Sequence, residues 1–578
     1  MRIVATFIIS AIVGFLAGDG FRILEERKQK NYGWYILLTI PFLVLGSYWR
    51  ITNLYNDDVF WRAYLPTAFI GIAIGIFLHH LLYHGWVGKY LPDRLWEILP
   101  GLLTWLFLTS PLWLSLRFPL VVSYGIIFLD FYWFFRGLKI LVNCYTGYQK
   151  MQSALKKDWL SIGKSFPEFS KIYHLVVIPT FKESREVLET TFTALAKSDY
   201  PHEKIMIILG IEEADKDNGL KIAQELQKKY NKDFKKIFVT VHKLLPEEIQ
   251  GPAANRTFGL KQVLPEIEKM GIALREVLLT TLDADFAICP KFLSAVTATY
   301  LATPKRDKRS FTGVFLYNNN YWQAAAPMRV IASGTAFWQL AEMVGSDKYQ
   351  NFASMSINLQ TVVDLGFWPT NIVNDDSAFY WRAYYYFKGD YKVIPHFLPI
   401  SCDTVQDTTL WKSFTNQYNQ LKRWAYGVEH APYIAKKYLQ TGSAPFWDKT
   451  DKFVFWMRSN VFWGTLPIIL GIGIYLVSIA RPDFGRTSMA YILPKTSSVI
   501  LTLALIGVFL MAILNEKFIP PRPKNWGYRQ KILSYAQWLL SPLIVLTWGT
   551  FPALESQTRL MLGKYMGFKV TVKTRSKL

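Results

Sequence analysis

The sequence predicts an α/β domain inserted between two groups of membrane-spanning helices. Three observations predict it: apolar stretches cluster near both ends, the region between them is charged and has no such stretch, and that region alternates strand and helix patterns. The expected regions are 1–145 with about five spans, 146–450 with the α/β domain, and 451–578 with about three spans and a basic tail.

The composition is that of a membrane protein with a soluble domain. Of 578 residues, 51% are hydrophobic, including 21 Trp and 40 Phe, which is rich for a soluble protein. The formal charge of +22 comes from Lys and Arg beside apolar segments, which favours an anionic membrane surface over nucleic acid as partner. The 3 cysteines lie far apart without a CxxC pair, so neither a disulfide framework nor a zinc site is indicated.

The N-terminal region contains five apolar stretches long enough to cross a hydrocarbon core of ~30 Å. They lie near 3–18, 33–49, 64–84, 98–116 and 118–143. The first resembles a signal peptide, but only Arg2 precedes it whereas Arg22, Arg27 and Lys28 follow, so we expect a retained span with its N-terminus outside. Five crossings then bring the chain to the cytoplasm near Tyr148, in a multi-pass protein of the plasma (inner) membrane.

Three further apolar segments follow the predicted domain, near 459–480, 489–513 and 533–552. The basic loop 515–531 is expected in the cytoplasm, which two crossings provide. A third crossing would put the basic tail outside, against the same rule. The last segment, with Pro542 and Pro552, therefore either re-enters the membrane or pairs with an unrecognised partner, and its topology stays open.

The region between the spans contains four short, β-branched apolar runs separated by helical patterns. They are 174–179, 204–211, 236–241 and 276–282. Such runs are typical of buried parallel strands, so we predict a doubly wound α/β sheet. Ligands of these sheets bind outside the carboxyl ends of the strands, where Asp283 and Asp285 follow the fourth run.

Two neighbouring carboxylates repel each other unless a cation lies between them. Oxygen ligands suit Mg²⁺ or Mn²⁺, and Mg²⁺ usually takes one or two carboxylates together with water and substrate phosphates. Asp283 and Asp285 are therefore predicted to hold a metal diphosphate. A second triplet, "DKD" at 215–217, also fits the pattern, and we interpret it as a solvated loop.

Downstream motifs extend this pattern: "LGFWPTNIVNDDSAFYWRA" at 365–383 and "NQYNQLKRWAYG" at 416–427. With them the chain resembles the family-2 glycosyltransferases, in the membrane-embedded branch that includes cellulose and hyaluronan synthases. That family opens a GT-A domain with a strand like "VVIPTFKES" at 176–184, then has DxD, a glycine-led turn into TED, and QxxRW. The matching positions here are Asp283, Asp285, Gly366, Asn374, Asp375, Asp376, Gln420, Arg423 and Trp424.

The chain departs from the family pattern in four places. The family often has Asn where this chain has Lys182, Asp-Gly or acidic residues where it has "GIEEAD" at 210–215, and Gly-Lys where it has Gly251 and Pro252. "NDD" replaces TED but keeps an acid at its centre and the final aspartate. We therefore expect the catalytic position to be retained, while the nucleotide contacts and the acceptor preference are less secure.

The acidic residues receive roles from the resemblance and from their chemistry. Asp376, with Asp375 beside it, is the predicted base that takes a proton from the acceptor hydroxyl; the alternative is a helix N-cap for the residues that follow. Glu183 and Glu212 are expected near the nucleoside, although surface caps would explain them as well.

The QxxRW motif supplies the other predicted contacts. Arg423 can pair with the diphosphate in a fork that lysine cannot reproduce. Gln420 would orient the diphosphate or the acceptor. Trp424 offers a flat face for the acceptor sugar, and the alternative is an amphipathic Trp at the membrane interface.

Three functions are consistent with these residues. The first is an inverting, metal-dependent glycosyltransferase that extends a glycan from a nucleotide sugar, a UDP-sugar in preference to a GDP-sugar, and passes the product through its own spans. The second moves a single sugar to a lipid or polyprenyl phosphate; such enzymes generally lack QxxRW. The third is a non-catalytic membrane scaffold with a relic domain, which the retained acidic residues disfavour. Membrane lipids are expected partners in each case.

Overall fold

The computed structural model describes residues 6–14, 17, 42, 64–83, 92–345 and 347–568. The predicted span 33–49 therefore lies outside the described residues, apart from residue 42. The described residues form two compact units, one from Met1–Leu99, Tyr384–Asp390 and His430–Met457 and the other from Pro100–Ala383, Tyr391–Glu429 and Arg458–Leu578. The second unit contains the sheet and every motif discussed above.

The centre of this unit is an eight-stranded mixed sheet. Its strands are β1 (Tyr173–Thr180), β2 (Ile205–Glu212), β3 (Lys236–His242), β4 (Val277–Thr281), β5 (Ala287–Ile288), β6 (Arg309–Leu316), β7 (Ser356–Asn358) and β8 (Lys392–Ser401). Their order is β3-β2-β1-β4-β7-β6-β8-β5. The first four are the runs predicted from the sequence, and they pair in parallel.

The other half of the sheet departs from that parallel arrangement. β7 is antiparallel to both β4 and β6, β8 is parallel to β6, and β5 is antiparallel to β8. β1, β2 and β4 are buried almost throughout, because helices cover both faces of the parallel half. This is the expected GT-A-like α/β domain, with apolar helices before and after it in the chain.

The helices are α1 (Leu65–Tyr83), α2 (Asp93–Trp113), α3 (Pro119–Lys156), α4 (Trp159–Lys164), α5 (Arg185–Ala196), α6 (Lys216–Tyr230), α7 (Pro252–Lys269), α8 (Phe292–Ala302), α9 (Ala326–Gly345), α10 (Leu359–Asp364), α11 (Asp375–Tyr386), α12 (Leu410–Ala425), α13 (Ala431–Gln440), α14 (Phe446–Ile468), α15 (Ile474–Ala480), α16 (Pro482–Gly485), α17 (Ser488–Asn515), α18 (Tyr528–Ala536), α19 (Ser541–Ile544) and α20 (Phe551–Met561).

Among the described residues, four helical runs are long and apolar enough to cross a membrane. They are Asp93–Trp113, Phe446–Ala480, Ser488–Asn515 and Tyr528–Met561. They coincide with four of the predicted spans, one before the domain and three after it. Residues 6–14 are helical, and α1 contains a shorter apolar helix, Leu65–Ile76.

The last apolar segment is one helical run of varying pitch from Tyr528 to Met561. It passes through a 3₁₀ turn at Gln537–Leu540 and a π-helical turn at Val545–Thr550. Pro542 and Pro552 each lie in the first turn of a helical piece that follows a turn of different pitch, which accommodates the missing N–H of the proline. The prolines thus change the pitch of this run without ending it.

Helix α3 includes the residues of the fifth predicted span, is not among the four candidate runs, and continues into the α/β domain. Its 38 residues extend over about 57 Å, well beyond a ~30 Å hydrocarbon core. It packs against α17 and also against α9 and β8 of the domain. Cys144 donates to the carbonyl oxygen of Phe337 on α9 at 3.2 Å, and Asn143 donates to that of Ala341 at 3.1 Å.

Candidate functional site

Acidic residues meet at one edge of the sheet because β1, β2 and β4 run in parallel as neighbours. Glu183 follows β1, Glu212 ends β2, and Asp283 and Asp285 follow β4. The carboxyl ends of parallel strands lie together, and they form the edge where such sheets bind ligands. The structure therefore places the four predicted donor-side acids at the expected edge.

Asp285 is fixed by the strands on the mixed side of the sheet. It is buried, and its Oδ2 accepts the backbone N–H of Asp403 at 2.9 Å. Its backbone oxygen accepts from Asn319 at 2.8 Å, and the same amide group donates to Oδ1 of Asp403 at 2.9 Å. Asp283 is half-buried, and its charge acts on Arg256 and Arg423. The pair thus has one anchored and one more accessible carboxylate.

The turn after β1 is held by two carboxylates. Glu183 accepts from the Thr180 hydroxyl at 2.7 Å and from the backbone N–H of Phe181. Burial raises the pKa of Glu183, and the charge of Asp285 adds to the rise. Lys182 adopts a left-handed φ of 65°, and its N–H donates to Asp215 at 2.8 Å. Asn tolerates this conformation better than Lys, which gives a physical reason for the Asn often found in the family.

The "DKD" triplet has two different environments. Asp215 is half-buried and stabilises the Lys182 turn, whereas Asp217 is exposed at the start of α6. The interpretation as a solvated loop is therefore wrong for both residues: Asp217 is solvent-exposed but belongs to the first turn of α6, and Asp215 has a structural contact that the sequence did not indicate.

Glu212 is not a surface residue. It is buried, and Nδ1 of His242 lies 3.0 Å from its Oε2. Nδ2 of Asn255 donates to its Oε1 at 2.9 Å, and the other ring nitrogen of His242 lies 2.9 Å from Glu248. Burial acts to lower the pKa of His242, but the two carboxylates outweigh it and raise the pKa. A surface cap does not describe Glu212, whose carboxylate is held by an internal network.

The segment 374–376, called the acidic turn below, leads into α11 and follows a bend at Gly366 and Phe367. Gly366 and Phe367 both have left-handed φ values, 72° and 63°. Arg382 stabilises the bend by donating to the backbone oxygens of Phe367 at 2.9 Å and Leu365 at 2.6 Å. A bulky residue with positive φ costs free energy, so the guanidinium contacts are needed to hold this conformation.

The two aspartates that follow differ in environment. Arg256, on α7, forms ion pairs with Asp375 and, at 3.3 Å, with Asp376. Asp375 is almost fully buried, and burial raises its pKa against the pull of Arg256. The side chain of Asp376 is 23% exposed. Both lie in the first turn of α11, and Ala378 donates to the backbone oxygen of Asn374, so Asp376 is not the residue that precedes the helix.

Arg423 lies close to the same acids. The carboxylates of Asp283, Asp375 and Asp376 act on its guanidinium group, although burial has the larger effect and lowers its pKa. Its Nε is buried and has no hydrogen-bond partner among the described residues. The ring of Phe568 lies against the guanidinium, 4.1 Å from its central carbon. Arg423 is thus stacked on an aromatic ring and lies within electrostatic reach of three carboxylates.

Helix α12 presents the QxxRW residues and packs on α20. Trp548 donates to the backbone oxygen of Phe414 at 3.1 Å, and Lys422 pairs with Glu555 at 3.0 Å. Gln420 is buried, and its Oε1 accepts from Gln417 at 3.1 Å. Trp424 is half-buried at the end of α12. The motif helix is therefore seated on the helical run that follows the domain.

Glu429 connects α12 to the acidic turn. Its Oε1 accepts from the backbone nitrogens of Asn374 at 2.7 Å and Val373 at 3.0 Å. Nδ2 of Asn374 donates in turn to the backbone oxygen of Arg423 at 2.8 Å. Sequence reasoning did not identify Glu429, Arg256 or Phe568, because each reaches the site by a contact between distant parts of the chain.

The site can accommodate a divalent cation through Asp283 and Asp285. Asp283 also raises the pKa of Asp375, which places these carboxylates within electrostatic reach of each other. No group of three or more His, Cys, Asp or Glu side chains arranged to hold a metal occurs among the described residues. A two-carboxylate set fits Mg²⁺ or Mn²⁺ that completes its shell with water and diphosphate oxygens.

Comparison with known proteins gives a family match for part of the chain. Residues 175–322 match the sequence profile of the family described as Glycosyl transferase family 2. This range runs from β1 to just beyond β6 and includes Asp283 and Asp285. No curated protein sequence matches the chain.

Several solved structures are similar to the chain. A mannosyltransferase from Pyrobaculum calidifontis, in complex with GDP-Man and Mn²⁺, has 14% identity and a TM-score of 0.39 over 77% of this chain and 99% of its own. TarS 1–349 from S. aureus, in complex with UDP-GlcNAc, has 13% identity and a TM-score of 0.31 over 60% of this chain and 92% of its own. GalNAc-T7 with UDP, GalNAc and Mn²⁺ has 11% identity and a TM-score of 0.31 over 51% of this chain and 59% of its own.

Proposed function

We propose that the protein is a membrane-embedded glycosyltransferase that transfers a sugar from a nucleoside-diphosphate sugar to a growing glycan. The observation that carries the proposal is the convergence of Asp283, Asp375 and Asp376 around Arg423, with Asp285 anchored beside them. The family profile over residues 175–322 supports it. So does the agreement of four motifs, in order, with the membrane-embedded branch of family 2.

The residues at the carboxyl edge of the sheet, together with Arg423, are proposed to bind the sugar donor. Asp283 and Asp285 would hold Mg²⁺ or Mn²⁺, which when bound neutralises the charge of the leaving diphosphate. Arg423 lies within electrostatic reach of Asp283, and a guanidinium group suits a phosphate that arrives with the cation. Glu183 and Glu212 support this edge through the turn after β1 and the His242 network.

Asp376 is proposed to act on the acceptor as the general base. The acceptor hydroxyl attacks C1 of the donor sugar, the bond from C1 to the diphosphate oxygen breaks, and the hydroxyl proton passes to the Asp376 carboxylate. Asp376 suits this role better than Asp375, because Asp375 is buried against Arg256 whereas Asp376 retains solvent contact. One direct displacement inverts the configuration at C1.

Gln420 and Trp424 are proposed to orient the acceptor. Trp424 is half-buried in the last turn of the helix that also carries Arg423. Stacking of a sugar on this ring would contribute on the order of 1 kcal/mol. The product glycan would then leave through the spans that α12 contacts, which makes successive additions and translocation part of the proposal.

The testing experiment is a donor screen with the full-length protein in lipid nanodiscs. UDP-sugars are tested first and GDP-sugars second, with Mn²⁺ or Mg²⁺, and products are digested with linkage-specific glycosidases. Release of nucleoside diphosphate with a lengthening glycan is expected. Transfer to a polyprenyl phosphate alone would support the single-sugar alternative, and no consumption of any donor would contradict the proposal.

Orientation in the membrane needs its own test. We propose that the α/β domain is cytoplasmic in the plasma (inner) membrane, because nucleotide sugars are supplied there and the loop 515–531 is basic. Lys232 is exposed after α6. A cysteine introduced by Lys232→Cys should react with an impermeant reagent only after cells are permeabilised, and labelling in intact cells would refute this orientation.

A further inference from the structure

The segment between α17 and α18 carries a concentrated positive charge. No acidic residue occurs between Glu516 and Glu555. Arg522 is neutralised by Glu516 at 2.6 and 2.8 Å. Four other cations, Lys517, Lys524, Arg529 and Lys531, are exposed, and none forms an ion pair with another described residue.

The position of these cations relative to the membrane follows from the helices on either side. α17 is one candidate span and ends at Asn515, and the next candidate span begins at Tyr528. A short connection between two spans lies at the level of the lipid headgroups. The cations are therefore presented where the two helices leave the hydrocarbon core.

An exposed apolar surface adjoins the charges. Immediately after Lys531, Ile532 and Leu533 are 48% and 57% exposed, and Leu539 is 84% exposed. A change from free cations to exposed apolar side chains within one helical turn is typical of a segment at the boundary between headgroups and acyl chains. These apolar side chains belong to the candidate span Tyr528–Met561, so the cations beside them lie at a lipid surface, where the headgroup is the nearest anionic group.

We propose that Lys524, Arg529 and Lys531 form a binding surface for the headgroups of anionic phospholipids. The anionic headgroup supplies the negative charge that the chain itself lacks over this segment, and the acyl chains cover Ile532 and Leu533. Attraction to an anionic leaflet acts on each such Lys or Arg and weakens with salt.

Two hydrogen bonds connect the loop that carries the lipid surface to a segment beside the candidate active site. Trp322 donates to the backbone oxygen of Pro520 at 2.8 Å, and Asn318 donates to that of Phe518 at 3.0 Å. Their neighbour Asn319 holds the backbone oxygen of Asp285. An anionic lipid that orders the 515–531 loop therefore stabilises the segment that supports Asp285. The consequence for transfer rate rests on the proposed function, whereas lipid binding does not.

The test compares the full-length protein in phosphatidylcholine nanodiscs with and without phosphatidylglycerol. The readouts are phosphatidylglycerol retained after purification, measured by native mass spectrometry, and the thermal unfolding midpoint. The triple variant Lys524→Gln, Arg529→Gln, Lys531→Gln is expected to lose at least about tenfold in lipid affinity. Its matched control, Lys221→Gln, Lys228→Gln, Lys232→Gln, removes three exposed charges from the domain surface and should bind like the wild type.

Phosphatidylglycerol should raise the thermal midpoint of the wild type. A charge-conserving triple, Lys524→Arg, Arg529→Lys, Lys531→Arg, should keep both the lipid retention and this rise in midpoint. Full retention by the neutralised loop triple, or an equal loss by the domain control, would overturn the proposal. Transfer activity is measured in parallel. A wild type that retains phosphatidylglycerol but transfers no sugar would refute the proposed function and leave the lipid surface standing.

Discussion

The Glu429 carboxylate lies 2.7 Å from the backbone nitrogen of Asn374, and this contact joins the end of the QxxRW helix to the turn that carries Asp375 and Asp376. Asn374 completes the connection with its own hydrogen bond to the backbone of Arg423. The proposed base and the proposed phosphate ligand thus share one support, although they belong to different motifs.

Removal of the Glu429 carboxylate should impair catalysis more than donor binding. Glu429→Ala leaves two amides without an acceptor, so the acidic turn should shift and kcat should fall roughly tenfold or more. Glu429→Gln keeps an oxygen at the Oε1 position and should retain most activity. Kinetics and donor titration are measured together, with Glu247→Ala, an exposed glutamate, as control. A purely structural role would instead lower the thermal midpoint and leave kcat of the folded fraction unchanged.

Glu429 should also make stability depend on pH. Burial raises its pKa to about 7 from an ordinary 4.5, against the backbone N–H groups that act to lower it. The folded protein therefore holds this proton more tightly than the unfolded chain, and stability should fall as pH rises from the ordinary value through about 7. The difference in thermal midpoint between wild type and Glu429→Gln should change over that range, and a pH-independent difference would exclude the effect.

Substitution by asparagine should have different effects at the two aspartates of the acidic turn. Asp376→Asn removes the proposed base and should lower the transfer rate by roughly 10²-fold with little change in thermal midpoint. Asp375→Asn leaves buried Arg256 with a weaker partner and should destabilise the fold by about 3 kcal/mol. Thermal unfolding and initial rates measured on both variants distinguish the roles. The reverse pattern would assign the base to Asp375.

Loss of the ring that covers Arg423 should weaken donor binding. Phe568→Ala removes a cation–π contact and frees the guanidinium, so donor affinity should fall about fivefold, equivalent to about 1 kcal/mol. Phe568→Tyr keeps the aromatic face and serves as the matched control. Titration with the nucleotide sugar measures the change. Tighter binding by Phe568→Ala would mean that the ring obstructs the phosphate position.

Metal removal should abolish transfer if Asp283 and Asp285 hold the cation. EDTA should stop turnover and added Mn²⁺ or Mg²⁺ should restore it. Asp285→Ala should lose turnover even with excess metal while the protein remains folded. Asp217→Asn, in the other DxD triplet, is the control and should behave as the wild type because Asp217 is exposed. Full activity in EDTA would contradict the assignment.

Local patterns were sufficient to predict the parallel half of the sheet and the acids at its edge. β1 to β4 are continuous apolar runs, and the residue that follows a buried strand must emerge at its carboxyl end. The two aspartates after β4 could therefore be placed without knowing any tertiary contact.

Other features depend on contacts that no local pattern encodes. Arg256 meets Asp376 across 120 residues, and the Glu429–Asn374 contact spans 55. A single charged residue at 256 among the buried alanines at the start of α7 was the available signal for the first. The mixed half of the sheet was also missed. β5 and β7 are only two and three residues long and leave no periodic pattern, and the longer β6 and β8 are interrupted by Gly313 and by Pro395 and Pro399, which weaken a strand pattern.

The continuity of α3 has a practical consequence for preparing the domain in water. A polypeptide that starts at residue 146 would begin in the middle of this helix, without Asn143 and Cys144 and their contacts with α9. The face of α9 that they cover would then meet solvent. A detergent-free version of the domain would therefore tend to aggregate, unless polar substitutions were made on that face or the C-terminal half of α3 were retained with a solubilising N-terminal cap.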